Sequence, residues 1–450
     1  MMSHGLLCER VVMKKYVKMF IAVCAVATMP VHAAIKIDTW QLKNGARVYF
    51  VENHSLPIVD LRVQFDAGSR RDTADKAGLA DVTNTLLTRG VEAHGTLPAL
   101  SESQVLDGFA DVVAQYGGGA ATDVASVGLR VLSDKADRTV AIDLLSRVLA
   151  QPAFPQSALD RDRARMIAML KEAQTQPDEI AGEAFQKALY GTHPYAFEAT
   201  PATLEAITRE DVAAFHRRHY VANRALVTLV GDLSRQEAQQ IAERLTEQLP
   251  QGQALPEMPP VPTAVASDKR IAHPASQSHI LIGMPALVRG DTDFFPLLVG
   301  NYILGGGGFM SRLMDEVREK RGLTYGVGSG FSGMLQPGPF IIQLQTKKEQ
   351  TQQALKVTLD TLNGFLRSGP TATELKAAKD NLIGGFALSL DSNSKIVNMV
   401  AMIAYYDLPL DYLDTWTANI QGVTIAQIRA AFARKVQADK LSVVVVGQAN

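Results

Sequence analysis

Ala225-Leu226-Val227-Thr228-Leu229-Val230-Gly231 and, 216 residues later, Leu441-Ser442-Val443-Val444-Val445-Val446-Gly447 are two runs of one kind. Each is short, almost wholly apolar, rich in β-branched residues and stopped by a glycine, which is the pattern of a strand. The correspondence continues outward in a nearly fixed register: Leu149 answers to Phe365, Leu159 to Leu375, Met166 to Leu382 and Ile167 to Ile383. The segments leading into the two runs, from Phe215 and from Phe432, also match. A register held over about 80 residues makes the two halves copies of one domain type.

Between the copies, Pro250, Pro256, Pro259, Pro260 and Pro262 fall in a stretch without periodicity, the signature of a linker over 250–267. The N-terminal domain is therefore expected over 35–249 and the C-terminal domain over 268–450. Residues 38–66 alternate as strands, with Trp40, Leu42, Val48 and Phe50 around an Asn44-Gly45 turn, then Val59, Leu61, Val63 and Phe65 after Ser55-Leu56-Pro57. Helical spacing begins at Lys76, with further helices expected at 101–115, 138–150, 156–174, 178–190 and 208–218. Strands and helices mixed in each half predict an α+β class: two homologous α/β sandwiches, each with helices on a mainly antiparallel sheet.

Composition sets the outer bounds. The chain has 450 residues, 47% of them hydrophobic, with 45 Lys+Arg against 46 Asp+Glu, so it can bury more than one core and is no disordered tail. Near-zero net charge without a basic tract argues against nucleic acid as a partner. The longest apolar stretch, Met19–Met29, is shorter than the roughly 20 residues a membrane span needs. Lys14, Lys15 and Lys18 precede Ile21–Ala27, and Val31-His32-Ala33 follows, which reads as a secretory signal peptide over 1–33 with cleavage after Ala33 or Ala34. Met13 is an alternative start, and an N-terminal membrane anchor is the competing reading. Cys8 and Cys24, the two cysteines, lie in this segment, so the processed chain has no disulfide or thiolate chemistry and is expected in the periplasm without stable membrane insertion. Removing Arg10, Lys14, Lys15 and Lys18 together with Glu9 takes a net +3 from −1 and leaves about −4.

Two matched domains joined by a Pro-rich linker in an exported chain resemble the pitrilysin/insulinase family of zinc peptidases. The segment from Lys76 to Gly90 resembles that family's metal helix, whose H-x-x-E-H places two imidazoles and a general base on one face. The positions matching that motif are Asp81, Asn84 and Thr85. They share a face, but an amide cannot act as the base and a neutral hydroxyl is a poor zinc ligand. The family's later glutamate ligand is expected in Met166–Glu172, where Ala168 and Met169 stand at the candidate positions. A shifted alignment would recruit Asp162 or Glu172 and still lack a histidine pair. His216 and His219, with Arg217 and Arg218 between them, read as a solvated helix end rather than ligands. The stretch Tyr116–Val124, which resembles the family's peptide-pairing strand, lacks the asparagine usual there.

The second half retains more. Leu304-Gly305-Gly306-Gly307-Gly308, Ser311-Arg312-Leu313, and Arg318 with Tyr325 seven residues on closely resemble the family's C-terminal half. That resemblance implies that Arg318 and Tyr325 hold the substrate backbone and its carbonyl, donors where negative charge develops. The four glycines are expected to serve as a hinge or a close backbone approach. They lack the Lys-Ser/Thr of a phosphate loop, and Gly330–Met334 lacks the last glycine of a nucleophile elbow. Resemblance to heterodimeric members such as the mitochondrial processing peptidase implies a non-metal subunit that contributes Arg318 and Tyr325 in trans. No cofactor is expected in this chain, with zinc held by a homologous H-x-x-E-H partner and peptides as substrates. The competing expectation is a catalytically inactive peptide-binding or scaffold protein on the same fold.

Overall fold

The computed structural model describes residues 35–447; the segment 1–33 expected to be a signal peptide, and both cysteines, lie outside them. The first half builds a six-stranded sheet from β1 (Asp38–Gln41), β2 (Arg47–Glu52), β3 (Ile58–Phe65), β6 (Gln115–Ala120), β7 (Ala125–Leu132) and β8 (Leu226–Gly231), beside a small ladder of β4 (Gly90–Val91) and β5 (Leu100–Ser101). The second half builds a five-stranded sheet from β9 (Ser267–Ala272), β10 (Gln277–Leu287), β11 (Val327–Phe331), β12 (Gly338–Lys347) and β13 (Ser442–Gly447). Their orders, β1-β2-β8-β3-β7-β6 and β9-β13-β10-β12-β11, superpose once β1 is set aside. Each sheet has one parallel pair, β2 with β8 and β9 with β13, and is otherwise antiparallel. The α+β expectation of two homologous, mainly antiparallel sandwiches is what the chain adopts. The register also holds in three dimensions: the helices starting at Lys135, Gln156, Pro177 and Arg209 have counterparts starting 216 residues later, at Thr351, Ala372, Asn393 and Ile425.

Two local expectations change. β1 and β2 form the hairpin closed at Asn44-Gly45, with Gly45 at φ 90, but β3 does not continue it, because β8 lies between β2 and β3. The reason lies in the apolar run of β8 itself: every residue of it is buried, so this strand needs a neighbour on each edge and cover on each face. The helix expected over 101–115 ends at Ala110; Val113 turns the chain at φ 52 and β6 begins at Gln115.

Cover on both faces of the central strands comes from an exchange of helices. Val227 and Leu229 of β8 point into the first core, with Leu145, Leu149 and Phe215. The second half's helix Asn393–Tyr405 packs across β8 and β3. Reciprocally, Val445 of β13 points into the second core with Phe365 and Phe432, while Val444 and Val446 pack against Ala181, Phe185 and Tyr190 of the first half's helix Pro177–Tyr190. That helix opens with proline at its first position and Asp178 and Glu179 in its first turn, and it stops at Gly191 with φ 59, a sequence well suited to start and end where it does. Both decisive runs end on glycine for one physical reason. Gly231 and Gly447 have φ 146 and 136, and a Cβ on them would strike the Ile58 carbonyl and the Ser278 side chain respectively.

From Pro250 to Ala266 the chain forms no helix or strand, yet it is tied down. Arg71 donates to the Pro256 carbonyl at 2.9 Å, and Gln336 donates to the Pro259 carbonyl at 2.7 Å while accepting from the Val261 amide at 2.7 Å. None of the described helices is long and apolar enough to cross a membrane.

Candidate functional site

The helix Leu79–Leu86 is held at its start by Asp72, which is buried and accepts from the Gly78 and Ala80 amides at 2.8 and 2.9 Å. Burial pushes this carboxyl up to about 7 against those hydrogen bonds. On the helix, Asp81 stands at the solvent edge, although neighbouring atoms desolvate its carboxyl enough to raise its pKa. Asn84 is buried and committed elsewhere: its amide nitrogen donates to Tyr220 Oη at 3.1 Å and to the Ser126 carbonyl at 3.3 Å. Thr85 follows, half-buried.

The candidate third-ligand positions behave likewise. Ala168 and Met169 are exposed, while Met166 and Ile167 turn to the first core. Asp162 is buried and engaged by Arg89 at 2.7 Å and Arg161 at 3.0 Å. Among the described residues no group of three or more His, Cys, Asp or Glu is arranged to hold a metal. The donor set of one carboxylate, one committed amide and one hydroxyl does not fit zinc.

The reading of His216 and His219 as a solvated helix end is overturned, since both are buried and only Arg217 and Arg218 face solvent. Each ring hydrogen-bonds a backbone carbonyl, His216 Nε2 to Leu149 at 2.8 Å and His219 Nδ1 to Asp66 at 3.0 Å. Burial pushes both down to about 4. Helical period placed these imidazoles on the core face and the arginines on the water face, which the count of charges alone does not reveal.

In the second half Arg318 and Tyr325 come together. Met314–Glu319 is a wide π-helical turn, a form often found where function requires a side chain to be displaced. It sets the Arg318 guanidinium between two rings, with Cζ 4.6 Å from the Phe309 centroid and 5.0 Å from that of Tyr325. Tyr325 is 87% exposed, and Phe309 and Met310 are 65% and 71% exposed, so the arrangement is presented outward rather than used in a core.

The preceding motif is its frame. Ser311 Oγ donates to the Gly308 carbonyl at 2.7 Å, Leu313 is fully buried, and Arg312 grips both oxygens of Glu374 at 2.7 and 2.8 Å. That fork pulls the Glu374 carboxyl down to about 2. The expected close backbone approach is seen at Gly305, where a Cβ would lie 2.5 Å from Ser329 Oγ. Tyr325 also borders a groove of about 650 Å³ between the helix Pro177–Tyr190 and β10, β11 and β12, with Phe185, Gln186, His279 and Gln343 on its walls. The spacing of Arg318 and Tyr325 was legible in the sequence. The contribution of a first-half helix to the groove was not, because it follows from the exchange. At the far end of the first sheet, β6 pairs only with β7 among the described residues, whose other strands leave its second edge open.

Sequence and structure comparisons agree on the lineage. The sequence profile described as Insulinase (Peptidase family M16) matches residues 47–200, and that described as Peptidase M16 inactive domain matches residues 206–382. An uncharacterized zinc protease of Bacillus subtilis, YmxG, is 25% identical over 80% of this chain and 86% of its own. A Helicobacter pylori protein named non-peptidase homolog YmxG is 26% identical over 91% and 94%. The crystal structure of a peptidase M16 inactive domain from Pseudomonas fluorescens superposes with a TM-score of 0.87 at 38% identity, over 92% of this chain and 98% of that one. With both halves matched and that identity sustained across nearly the whole chain, this protein belongs to peptidase family M16, the insulinase family.

Proposed function

We propose that this chain is the non-metal subunit of a periplasmic heterodimeric zinc endopeptidase, lending Arg318 and Tyr325 to the H-x-x-E-H site of a homologous partner. The observation that carries this reading is the outward presentation of the Arg318–Tyr325 stack in a chain whose own metal helix carries Asp81, Asn84 and Thr85. A guanidinium held over a phenol by a rigid frame offers fixed donors to a peptide carbonyl, and the donors gain strength when a docked partner excludes water. Arg318 and Tyr325 would bind and orient the peptide while the partner's zinc supplies the activated water for hydrolysis. The description of the second half's profile as an inactive domain and the name of the Helicobacter pylori relative support a chain without peptidase activity of its own.

Arg318→Ala and Tyr325→Phe in the reconstituted pair should depress peptide turnover by about 100-fold and about ten-fold respectively, with assembly and zinc content of the complex unchanged. Unchanged turnover in both variants would remove these residues from the mechanism. The open edge of β6 favours the second reading, a peptide-binding protein that pairs an extended segment with that strand. Co-purification of the tagged chain from its host decides between the two. A co-purified H-x-x-E-H chain with chelator-sensitive cleavage supports the subunit; a lone, inert chain that retains peptides supports the binder.

A further inference from the structure

We infer that the cleft at the start of β8 is a carboxylate-binding site that takes the free C-terminus or an acidic side chain of a peptide. The cleft encloses about 270 Å³ and draws Arg47, Asp66, Arg70 and Arg224 from the first half and Leu335 and Tyr405 from the second. Five arginines act on it, Arg47, Arg70, Arg71, Arg218 and Arg224, against Asp66, Asp123 and Asp407. The three carboxylates are already occupied. Asp66 binds Arg70 at 2.6 Å and Arg71 at 2.5 Å, Asp407 lies 3.3 Å from Arg47, and Asp123 lies 3.6 Å from Arg70 behind the cleft wall.

Two of the five are left without a carboxylate: Arg218, which is turned to solvent, and Arg224, which lies in the cleft wall. The terminal nitrogens of Arg224 donate to the backbone carbonyls of Gln253 and, at 2.6 Å, Arg218, and its Nε is buried without a partner. Burial lowers its pKa; Arg71 and Arg218 push the same way and Asp66 opposes them. A guanidinium does not escape this cost by losing its proton, so a bound anion relieves it. With Arg218 turned to solvent, the cleft itself holds one uncompensated charge beside Asp66, which matches a monoanion better than a phosphate dianion, and Ala225, Leu226 and Leu335 along the wall suit the apolar side chain of a terminal residue. Arg70, 6% exposed and fixed by Asp66 and by the Asp123 carbonyl at 3.3 Å, gives the site a rigid floor.

The choice of a peptide as ligand rests on the peptide-handling function proposed above, but the test uses binding to the full chain alone, without partner or turnover. Failure here leaves the Arg318 and Tyr325 experiments untouched. Three probes are titrated at low salt by calorimetry: Ala-Ala-Ala-Leu as free acid, the same peptide as C-terminal amide, and acetyl-Ala-Glu-Ala-amide. The free acid should bind about ten-fold or more tightly than its amide, and Arg224→Gln should abolish that preference. Preferential binding of the glutamate peptide, lost in the same variant, would assign the site to acidic side chains. Should Arg224→Gln disturb folding through its backbone partners, Arg47→Gln at the rim should weaken the acid alone. Equal affinities for acid and amide, no binding by any probe, or wild-type affinity in both arginine variants would overturn the proposal.

Discussion

Asp123 is a single side chain on which both halves close, and its removal has a calculable effect. The carboxylate is 2% exposed; it accepts from Tyr195 Oη at 2.8 Å within its own half, and from the Leu335 amide at 2.9 Å and Tyr406 Oη at 3.2 Å in the other. The Tyr405 hydroxyl adds a bond to its backbone carbonyl, and Arg70 stands 3.6 Å from the carboxylate. Asp123→Ala leaves three donors and part of a buried cation without a partner. Hydrogen bonds to a charged acceptor are worth about 1.5–3 kcal/mol each and a broken buried pair costs about 3–5 kcal/mol. Asp66 keeps Arg70 paired at 2.6 Å, and water entering the gap reaches some donors, so the net loss should be about 4 kcal/mol rather than the full sum.

The two tryptophans allow each half to be followed separately, since Trp40 lies on β1 and Trp416 stacks on Phe386 in the second half. Urea unfolding is monitored by fluorescence in Trp40→Phe and Trp416→Phe backgrounds. Because each sheet is covered by a helix of the other half, both reporters should lose the same stability. A loss below about 1 kcal/mol, or one confined to a single reporter, would refute the latch and the cooperativity argued from the exchange.

Other outcomes follow from the same structure. His219 is held near 4 against an ordinary 6.5; its neutral form contributes stability present above pH 6.5 and lost as pH falls toward 4. His219→Asn should therefore flatten the pH dependence of the unfolding free energy from urea titration over that window by about 3 kcal/mol, and an unchanged slope would contradict the assignment. Asp72, raised by burial, has the opposite sign and loses its contribution as pH rises toward 7, which is why the comparison is made between slopes of parent and variant. Gly231→Ala should cost about 3 kcal/mol in chemical denaturation, because φ 146 and the Ile58 carbonyl both exclude a Cβ. Elemental analysis of the purified chain should find zinc well below one equivalent, and a stoichiometric, chelator-removable ion would contradict the donor chemistry at Asp81, Asn84 and Thr85.

Much of this protein is written in local pattern. Strand and helix periods, the Asn44-Gly45 turn and the glycines that end β8 and β13 depend on backbone sterics and one-face burial, which act over a few residues; the 216-residue register is their repetition. The absence of H-x-x-E-H and the seven-residue spacing of Arg318 and Tyr325 are likewise matters of residue identity. What only the tertiary structure decided is which surface each element meets. That β8 and β13 are almost wholly apolar says that they are covered twice, but not that the helices Asn393–Tyr405 and Pro177–Tyr190 cross over to cover them. The same holds for His216 and His219, buried by a rotation of their helix that the intervening arginines conceal, and for Arg224, whose lack of a counter-ion emerges only when five arginines and three aspartates from distant segments are brought together. Periodicity is a property of neighbours in the chain, whereas charge balance and two-sided burial are properties of neighbours in space.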